Sequence, residues 1–278
     1  MVQEKWVIEP GMSRTIDLEV VRRLKVSLIG GQVDVIGHDE PGARVEVHSV
    51  TGRDLKVTIE GDSLEVDHPQ LRWDNFIDVF RAWSGKARAD VSILVPRDVA
   101  LKLGVVSASA LVSGLTTDAK LSTVSGDITA DGLAGDLELN AVSGELSART
   151  HSGKINAHTV SGDIVATGPL ASFSADSVSG NILLDVDGVP DTIASNSVSG
   201  DLTIRLDSDV AARYRLNTVS GVMHLDNVTI RGAAGRGFTE QTGPLEGSWV
   251  EVSANSVSGN VSVVRRAHAD SAAQGAAE

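Results

Sequence analysis

A short motif, Val-Ser-Gly followed by an acidic or amide residue and an aliphatic residue, recurs along the chain at a nearly fixed spacing. It begins at Val124, Val142, Val160 and Val178, so successive copies lie 18 residues apart, and Val106 begins a related Val-Ser-Ala copy one interval earlier. A repeat of fixed period is typical of proteins built from stacked, similar units. This period limits the possible folds more than any single residue does.

Each 18-residue unit divides into two units of nine, because glycines recur every nine residues from Gly126 to Gly162. Counted from each glycine, positions −2, +2 and +4 are apolar and alternate with polar residues, as in a β-strand with one buried face. A helical period near 3.6 does not fit this pattern. The residues expected to point inward are Val124, Leu133, Val142, His151 and Val160 at −2, Ile128, Leu137, Leu146, Ile155 and Ile164 at +2, and Ala130, Leu139, Ala148, Ala157 and Ala166 at +4.

No unit of this length can bury its apolar face alone, so neighbouring units must stack and share one core. Stacking at about 4.8 Å, the distance between hydrogen-bonded strands, would place Ile128 over Leu146 and Ile164. Crossovers between parallel strands are right-handed in nearly all proteins. The sequence therefore predicts an all-β fold, a right-handed parallel β-solenoid (a β-helix or β-roll) with coils of about 18 residues.

The regularity of the repeat divides the chain into regions. The alternation is irregular before the motif series starts, and the spacing lengthens after Val178, with a gap of 38 residues between Val219 and Val257. Insertions in repeat proteins usually form loops on one face. We expect an N-terminal lead at 1–13, an irregular β-array at 14–104, regular solenoid repeats at 105–264 with a flexible loop insertion at 231–247, and a disordered tail at 265–278.

An aromatic segment at residues 71–85 interrupts the irregular array. Its aromatic residues recur at intervals of three and four, which is a helical spacing. One interpretation is a short helix or loop that caps the first coils, since exposed sheet edges must be covered. The other is a docking patch for a partner protein or a membrane surface. The candidate docking residues are Trp73, Phe76, Phe80 and Trp83.

Composition and charge exclude several classes of function. The formal net charge of −13 disfavours nucleic acid, whose phosphates would be repelled. Cysteine is absent, so disulfides and thiolate metal sites are excluded. The first residues lack the pattern of a signal peptide, and no stretch is apolar enough for a transmembrane segment. We expect a cytoplasmic location, with a peripheral position at the inner membrane surface as a variant of it.

The residues that follow the motif glycines could carry chemistry. Asp127, Glu145, Asp163 and Asn181 would stack as one ladder, which could bind a cation such as Ca²⁺. The calcium-binding Gly-Gly-x-Gly-x-Asp pattern is missing, so solvated turn carboxylates are the favoured interpretation. The histidines show no metal-ligand spacing, and no serine lies in a Gly-x-Ser-x-Gly motif. The sequence therefore predicts no cofactor, no metal site and no catalytic residues.

Several motifs together resemble a bacterial family. They are Gly31-Gln32-Val33-Asp34-Val35, the stretch Val91–Pro96, the repeated Val-Ser-Gly-Asp-Ile units, and the final repeat Ser256–Val263. The chain resembles the β-strand-repeat proteins provisionally labelled adhesins, a domain of unknown function related to the GIN-type head domain. The resemblance implies a β-solenoid fold and brings no catalytic residues. Some members of that family are associated with the cell envelope.

From these observations we expect a non-catalytic interaction scaffold, which presents a rigid acidic repeat face to a protein partner, with envelope association as a further expectation. An exported glycan-binding adhesin is the first alternative, and a carbohydrate-active β-helix enzyme is the second. End-to-end self-association through exposed strand edges also stays open.

Overall fold

The computed structural model describes residues 3–68, 87–226, 228–231 and 237–266, and every regular element in those ranges is a β-strand. This part of the chain is therefore all-β, as the alternating pattern predicts. The strands form two sheets of 13 strands each, which we call sheet A and sheet B.

In chain order the strands of the described ranges run from β1 to β26. They are β1 (Gln3–Ile8), β2 (Arg14–Leu18), β3 (Arg23–Leu28), β4 (Gly31–His38), β5 (Ala43–Thr51), β6 (Leu55–Glu60), β7 (Ser63–Asp67), β8 (Arg88–Pro96), β9 (Ala100–Val105), β10 (Ser109–Ser113), β11 (Ala119–Thr123), β12 (Ile128–Asp131), β13 (Ala134–Ser143), β14 (Leu146–Arg149), β15 (Ser152–Ser161), β16 (Ile164–Gly168), β17 (Leu170–Ser179), β18 (Ile182–Val186), β19 (Thr192–Ser199), β20 (Leu202–Leu206), β21 (Ala211–Thr218), β22 (Val222–Leu225), β23 (Val228–Arg231), β24 (Phe238–Thr242), β25 (Trp249–Ser256) and β26 (Val261–Arg265).

The chain alternates between the two sheets. Sheet A has the order β1-β6-β7-β3-β9-β11-β13-β15-β17-β19-β25-β21-β24, and sheet B has the order β2-β5-β8-β4-β10-β12-β14-β16-β18-β20-β26-β22-β23. From β9 to β20 the odd strands lie in sheet A and the even strands in sheet B. Within each sheet these neighbours are parallel. Stacked coils that each contribute one strand per sheet give this arrangement.

The sequence repeat sets the pairing register. In sheet B, Ile128 pairs with Leu146, Leu146 with Ile164, and Ile164 with Ile182, at intervals of 18 residues. The next interval, from Ile182 to Leu202, is 20 residues. Equivalent side chains therefore lie beside one another on neighbouring strands, and the predicted row of Ile128, Leu146 and Ile164 is confirmed.

The last coils do not stack in sequence order. β25 lies between β19 and β21, and β26 lies between β20 and β22. After β20 the chain continues into β21 and β22, which lie one coil further out, and then into the antiparallel strands β23 and β24. Strands β25 and β26 follow and occupy the position between β19 and β21 in sheet A and between β20 and β22 in sheet B. Residues Phe238–Thr242, inside the segment predicted as a flexible loop, thus form a strand against β21.

The core lies between the two sheets. All ten residues at positions +2 and +4 from Gly126 to Gly162 are at most 1% exposed, which confirms their predicted inward orientation. Phe173 and Tyr214 are the largest fully buried side chains. Burial of these rows supplies the hydrophobic stabilisation that single coils lack.

Antiparallel strands lie at both ends of the parallel stack. At one end β1 pairs with β6 in sheet A and β2 pairs with β5 in sheet B. At the other end β24 pairs with β21 and β23 pairs with β22. The outermost strands are short, and β1 carries Glu4 and Lys5, features that discourage edge-to-edge pairing.

Arg266 fastens the end of β26 to two neighbouring coils. Its guanidinium donates hydrogen bonds to Asp185, to Asp187 at 2.6 Å and to Asp207 at 2.8 Å. The hydrogen bond to Asp185 is the main cause that raises the pKa of Arg266. This network joins the end of β26 to the ends of β18 and β20.

We expect Arg266→Ala to lower the free energy of unfolding by about 1–2 kcal/mol, because three carboxylates would lose their shared cation. The measurement is chemical denaturation near neutral pH. Arg205→Ala is the control, since Arg205 forms a single ion pair with Asp185 and is more exposed. An effect of Arg266→Ala no larger than that of Arg205→Ala would contradict the bridging role.

Candidate binding surface

Six valines of the Val-Ser-Gly motifs form an apolar row on sheet A. Each is between 48% and 53% exposed. Neighbouring strands lie about 4.8 Å apart, so the row is about 24 Å long. We call it the valine ridge. Its members, in spatial order along β13-β15-β17-β19-β25-β21, are Val142, Val160, Val178, Val198, Val257 and Val219.

The exposure of the ridge follows from the length of the sheet A strands. β13 runs without interruption to Ser143, with Leu137, Leu139 and Ala141 buried. Because side chains alternate along a strand, Val142 must point outward. The same alternation holds for the later strands of the ridge.

The prediction that the motif valines point inward is therefore wrong for the ridge. It holds for Leu133, and Val124 is also only 8% exposed, although it occupies the position of Val142 one coil earlier. The two nine-residue halves of a coil are not equivalent, since Leu133 follows the turn at Gly132 whereas Val142 continues a strand. The sequence signal for this difference was that Leu137 and Leu139 lie an odd number of residues before Val142, which places Val142 on the opposite face of the same strand.

A polar row runs beside the ridge on the same face of sheet A, two residues earlier in each strand. We call it the polar ladder, and its members are Asn140, His158, Asp176, Asn196, Asn255 and Asn217.

Hydrogen bonds connect most members of the polar ladder. Asn196 donates to Asp176 Oδ1 at 2.9 Å, Asn255 donates to Asn196 at 2.9 Å, and Asn217 donates to Asn255 at 2.8 Å. On the other side, His158 Nδ1 lies 3.2 Å from Asp176 Oδ2. The amides of Asn217, Asn255 and Asn196 thus donate in one direction, toward Asp176, and this part of the row is an ordered polar wall.

A groove of about 640 Å³ follows the ridge and the ladder across β11 to β19. Four ridge valines and four ladder residues line it, and Ala141, Thr159, Ser177 and Ser197 lie between the two rows. Side chains alternate along a strand, so these intervening residues point toward the core and leave the space between the two rows open. The volume is within the range of small-molecule and side-chain binding sites.

Two hydroxyl groups are buried beneath the groove, on residues whose side chains point inward. Thr159 Oγ1 and Ser177 Oγ are buried and have no hydrogen-bond partner among the described residues. At the equivalent position Thr123 Oγ1 accepts a hydrogen bond from the Gly126 N–H at 2.8 Å. The polar groups that the groove exposes are therefore those of the polar ladder, opposite the apolar wall of the ridge.

Further cavities open on strands of the same sheet. One of about 500 Å³ is lined by residues of β9, β11, β13 and β15, and one of about 370 Å³ by residues of β1, β3, β6 and β7. In the larger one Lys120 Nζ lies 2.6 Å from Glu138 Oε1, and this hydrogen bond lowers the pKa of Glu138. Sheet A thus has concave regions along much of its length.

The acidic and amide residues that follow the motif glycines form a second ladder, at the turns. Asp127 Oδ1 accepts a hydrogen bond from the Glu145 N–H at 2.9 Å, and Asp163 Oδ1 accepts one from the Asn181 N–H at 2.7 Å. Asn181 and Asp201 do the same for the next coils. Each side chain thus satisfies a backbone donor one coil away.

These contacts give Asp127, Asp163 and Asp201 a structural role that requires no cation. Carboxylates that accept backbone hydrogen bonds are used structurally. In the described ranges no group of three or more His, Asp or Glu side chains is arranged to hold a metal ion. The sequence suggested local bonding within each turn, whereas the observed bonds join neighbouring coils.

His151 is 1% exposed, as expected for a packed residue. Its Nε2 lies 3.1 Å from the Gly135 carbonyl oxygen and 3.3 Å from the Lys154 carbonyl oxygen. Burial lowers the pKa of His151, although these carbonyls oppose the shift. Its position between backbone oxygens is that of a structural residue.

The aromatic docking candidates Trp73, Phe76, Phe80 and Trp83 lie outside the described residues. The described part of the chain contains no helix long and apolar enough to cross a membrane.

The fold and the surface define an all-β repeat protein with two long, mainly parallel sheets and a grooved outer face. Residues 21–264 match the Toastrack DUF4097 family, and the chain belongs to that family. This finding agrees with the resemblance to a bacterial domain of unknown function.

Two solved structures are similar to this chain. One from Parabacteroides distasonis, provisionally named a lipid binding protein, is 13% identical, with a TM-score of 0.51 over 91% of this chain and 98% of its own. One from Bacteroides fragilis, provisionally named an adhesin, is 12% identical, with a TM-score of 0.48 and coverages of 91% and 98%. The search of curated proteins found no match.

Proposed function

We propose that this protein is a non-catalytic binding scaffold that presents the outer face of sheet A to a protein partner. The coils of about 18 residues, which we take to wind in the right-handed sense of parallel crossovers, hold this face rigid. The observation that supports the proposal most directly is the valine ridge with its adjoining groove. The ridge repeats one exposed apolar side chain at every coil over about 24 Å.

The ridge is unusual for a surface in contact only with water. Isolated exposed apolar residues are common, but contiguous apolar patches with a polar rim usually mark interaction sites. Here the polar ladder forms that rim on one side. The turn residues Glu145, Asp163 and Asp201 form it on the other. This acidic border is the part of the predicted acidic face that adjoins the groove.

A protein partner fits the chemistry of the groove better than a glycan or an acyl chain. Glycan recognition would be helped by flat aromatic surfaces, and the described residues that line the groove include no Phe, Trp or Tyr. A lipid ligand is suggested by the name of the Parabacteroides distasonis protein. However, the opposite wall is polar, since it is formed by Asn140, His158, Asp176 and Asn196. A protein surface can supply both apolar side chains and hydrogen-bonding groups.

The test is affinity capture with the full chain and two double variants, followed by identification of the bound proteins. Val160→Ser/Val178→Ser removes the centre of the ridge. Leu111→Ser/Leu183→Ser is the matched control, because both leucines are exposed on strands of sheet B. We expect the chain and the control to retain a bound protein that the ridge variant loses at least tenfold. Equal capture by all three proteins would reject sheet A as the binding face.

A further inference from the structure

We propose that the protein bound by the valine ridge is a second copy of this chain, in a two-fold dimer whose axis runs parallel to the ridge. In this dimer the ridge of each copy fills the groove of the other. This inference rests on the proposed function and specifies its partner.

The spacing of the ridge favours a partner with the same repeat. Its side chains recur about every 4.8 Å, whereas residues on one face of a single extended peptide recur about every 6.6–6.8 Å. A peptide lying along the groove would fall out of step with the valines. A second solenoid ridge has the same spacing and can contact every coil in the same way.

The symmetry follows from the position of the groove. The groove lies to one side of the ridge, between it and the polar ladder, with Thr159 and Ser177 among the residues that line it. A two-fold axis perpendicular to the ridge, within the plane of contact, would place ridge on ridge. An axis parallel to the ridge, halfway between ridge and groove, places both ridges in grooves at once. It also brings equivalent coils of the two copies to the same level.

The polar residues beside the ridge suit this symmetry. In each pair of facing coils, the dimer places the ladder residue of one copy toward the turn residue of the other. The ladder residue lies two positions before the ridge valine, and the turn residue lies three positions after it. His158 would face Asp163, and Asn196 would face Asp201. The one ladder carboxylate, Asp176, would face Asn181, the amide in the turn series that elsewhere has Glu145, Asp163 and Asp201. No level therefore opposes two carboxylates, whose repulsion would be unfavourable.

The size of the surface predicts a weak dimer. A patch about 24 Å long and 20–25 Å wide would bury roughly 1,000–1,200 Å² in total, at the lower limit of specific interfaces. The formal net charge of −13 on each copy also opposes association at low salt. We expect a dissociation constant in the micromolar range that decreases as salt screens this repulsion.

Sedimentation velocity over a concentration series tests the partner. The full chain should dimerise reversibly. Val160→Ser/Val178→Ser should weaken dimerisation at least tenfold, and Leu111→Ser/Leu183→Ser should leave it unchanged. Circular dichroism verifies that each variant is folded. A chain that stays monomeric at all concentrations and salt levels, or a dimer unaffected by the ridge substitutions, would overturn the proposal.

A single cysteine tests the symmetry, because the chain has none of its own. The proposed axis brings each ridge residue next to the same residue of the second copy. Val142 is used because it lies at one end of the ridge, where parallel and opposite ridge directions differ most. Val142→Cys should therefore form a disulfide-linked dimer under mild oxidation, and the control Leu183→Cys should not. With ridges running in opposite directions, the two introduced thiols would be about 24 Å apart. No crosslink, or equal crosslinking of the control, would overturn the proposed dimer.

The two proposals can fail separately. If the chain stays monomeric while the ridge variant still loses a different captured protein, the dimer is rejected and the binding scaffold remains. If ridge substitutions alter neither dimerisation nor capture, both are rejected.

Discussion

Replacing Ile164 by aspartate is expected to lower the free energy of unfolding by several kcal/mol, on the order of 3–5 kcal/mol. Ile164 is fully buried in sheet B, between Leu146 on one neighbouring strand and Ile182 on the other. A carboxylate there would lose its hydration without gaining a cation or a hydrogen-bond donor. It would also interrupt the apolar row that passes from coil to coil.

The effect can be measured by thermal and chemical denaturation of the variant beside Leu183→Asp. Leu183 is 42% exposed and lies on the outward face of β18, the strand next to Ile164. The control should cost about 1 kcal/mol or less, because its carboxylate stays in water. Similar losses for both variants, or no loss for Ile164→Asp, would show that the assignment of inward and outward positions is incorrect.

The stacked rows were predictable from the sequence because the length of the repeat equals the residue offset between paired neighbouring strands. Identical residue types 18 positions apart can all be buried only if neighbouring strands align them. Ile128, Leu146 and Ile164 therefore identified both the strand face and its pairing before any coordinates were known. The pattern of apolar residues does not reveal the handedness of the coils or the binding partner, since the same residues would be apolar in either case.

The valine ridge shows where a repeat by itself misleads. Treating the two halves of each coil as equivalent made Val142 look like Leu133, although only Leu133 is buried. The distinction depends on whether a turn or a continuous strand separates the residue from the preceding buried ones. Gly132, with φ of +62°, breaks the alternation before Leu133, whereas β13 continues through Val142. Counting parity along the longer strand would have identified the exposed valines.

The order of the last coils could not be obtained from spacing. A gap of 38 residues between Val219 and Val257 is compatible with one coil plus a loop, or with an excursion and a return. The structure has the second arrangement, with β25 and β26 inserted before β21 and β22. Pairing between distant segments decides such cases, and it depends on contacts that no local pattern encodes.

Acid should destabilise this protein through a buried histidine near the first coils. His68 is fully buried, and its Nδ1 accepts a weak hydrogen bond from the Ile29 N–H at 3.4 Å. Its Nε2 has no hydrogen-bond partner among the described residues. Burial, together with the charge of Arg53, lowers the pKa of His68 to about 4 from its usual 6.5.

The direction of the effect follows from proton binding in the two states. Between about pH 6.5 and pH 4 the unfolded chain binds a proton at His68 that the folded chain does not. The free energy of unfolding therefore decreases as the pH falls through this window, and it is unaffected by His68 at higher pH. A shift of this size corresponds to a total loss of about 3 kcal/mol by pH 4.

Chemical denaturation at several pH values between 7.5 and 4 measures this loss. His68→Gln should show a much smaller decrease over the same range, because glutamine does not titrate, even if the variant is less stable at neutral pH. The slope, rather than the absolute stability, is thus the quantity to compare. The remaining acid sensitivity of the variant would come from other groups, including His151, whose pKa is also lowered by burial. If the variant and the unaltered chain lost stability in parallel, His68 would be protonated equally in the folded and unfolded states, contrary to its burial.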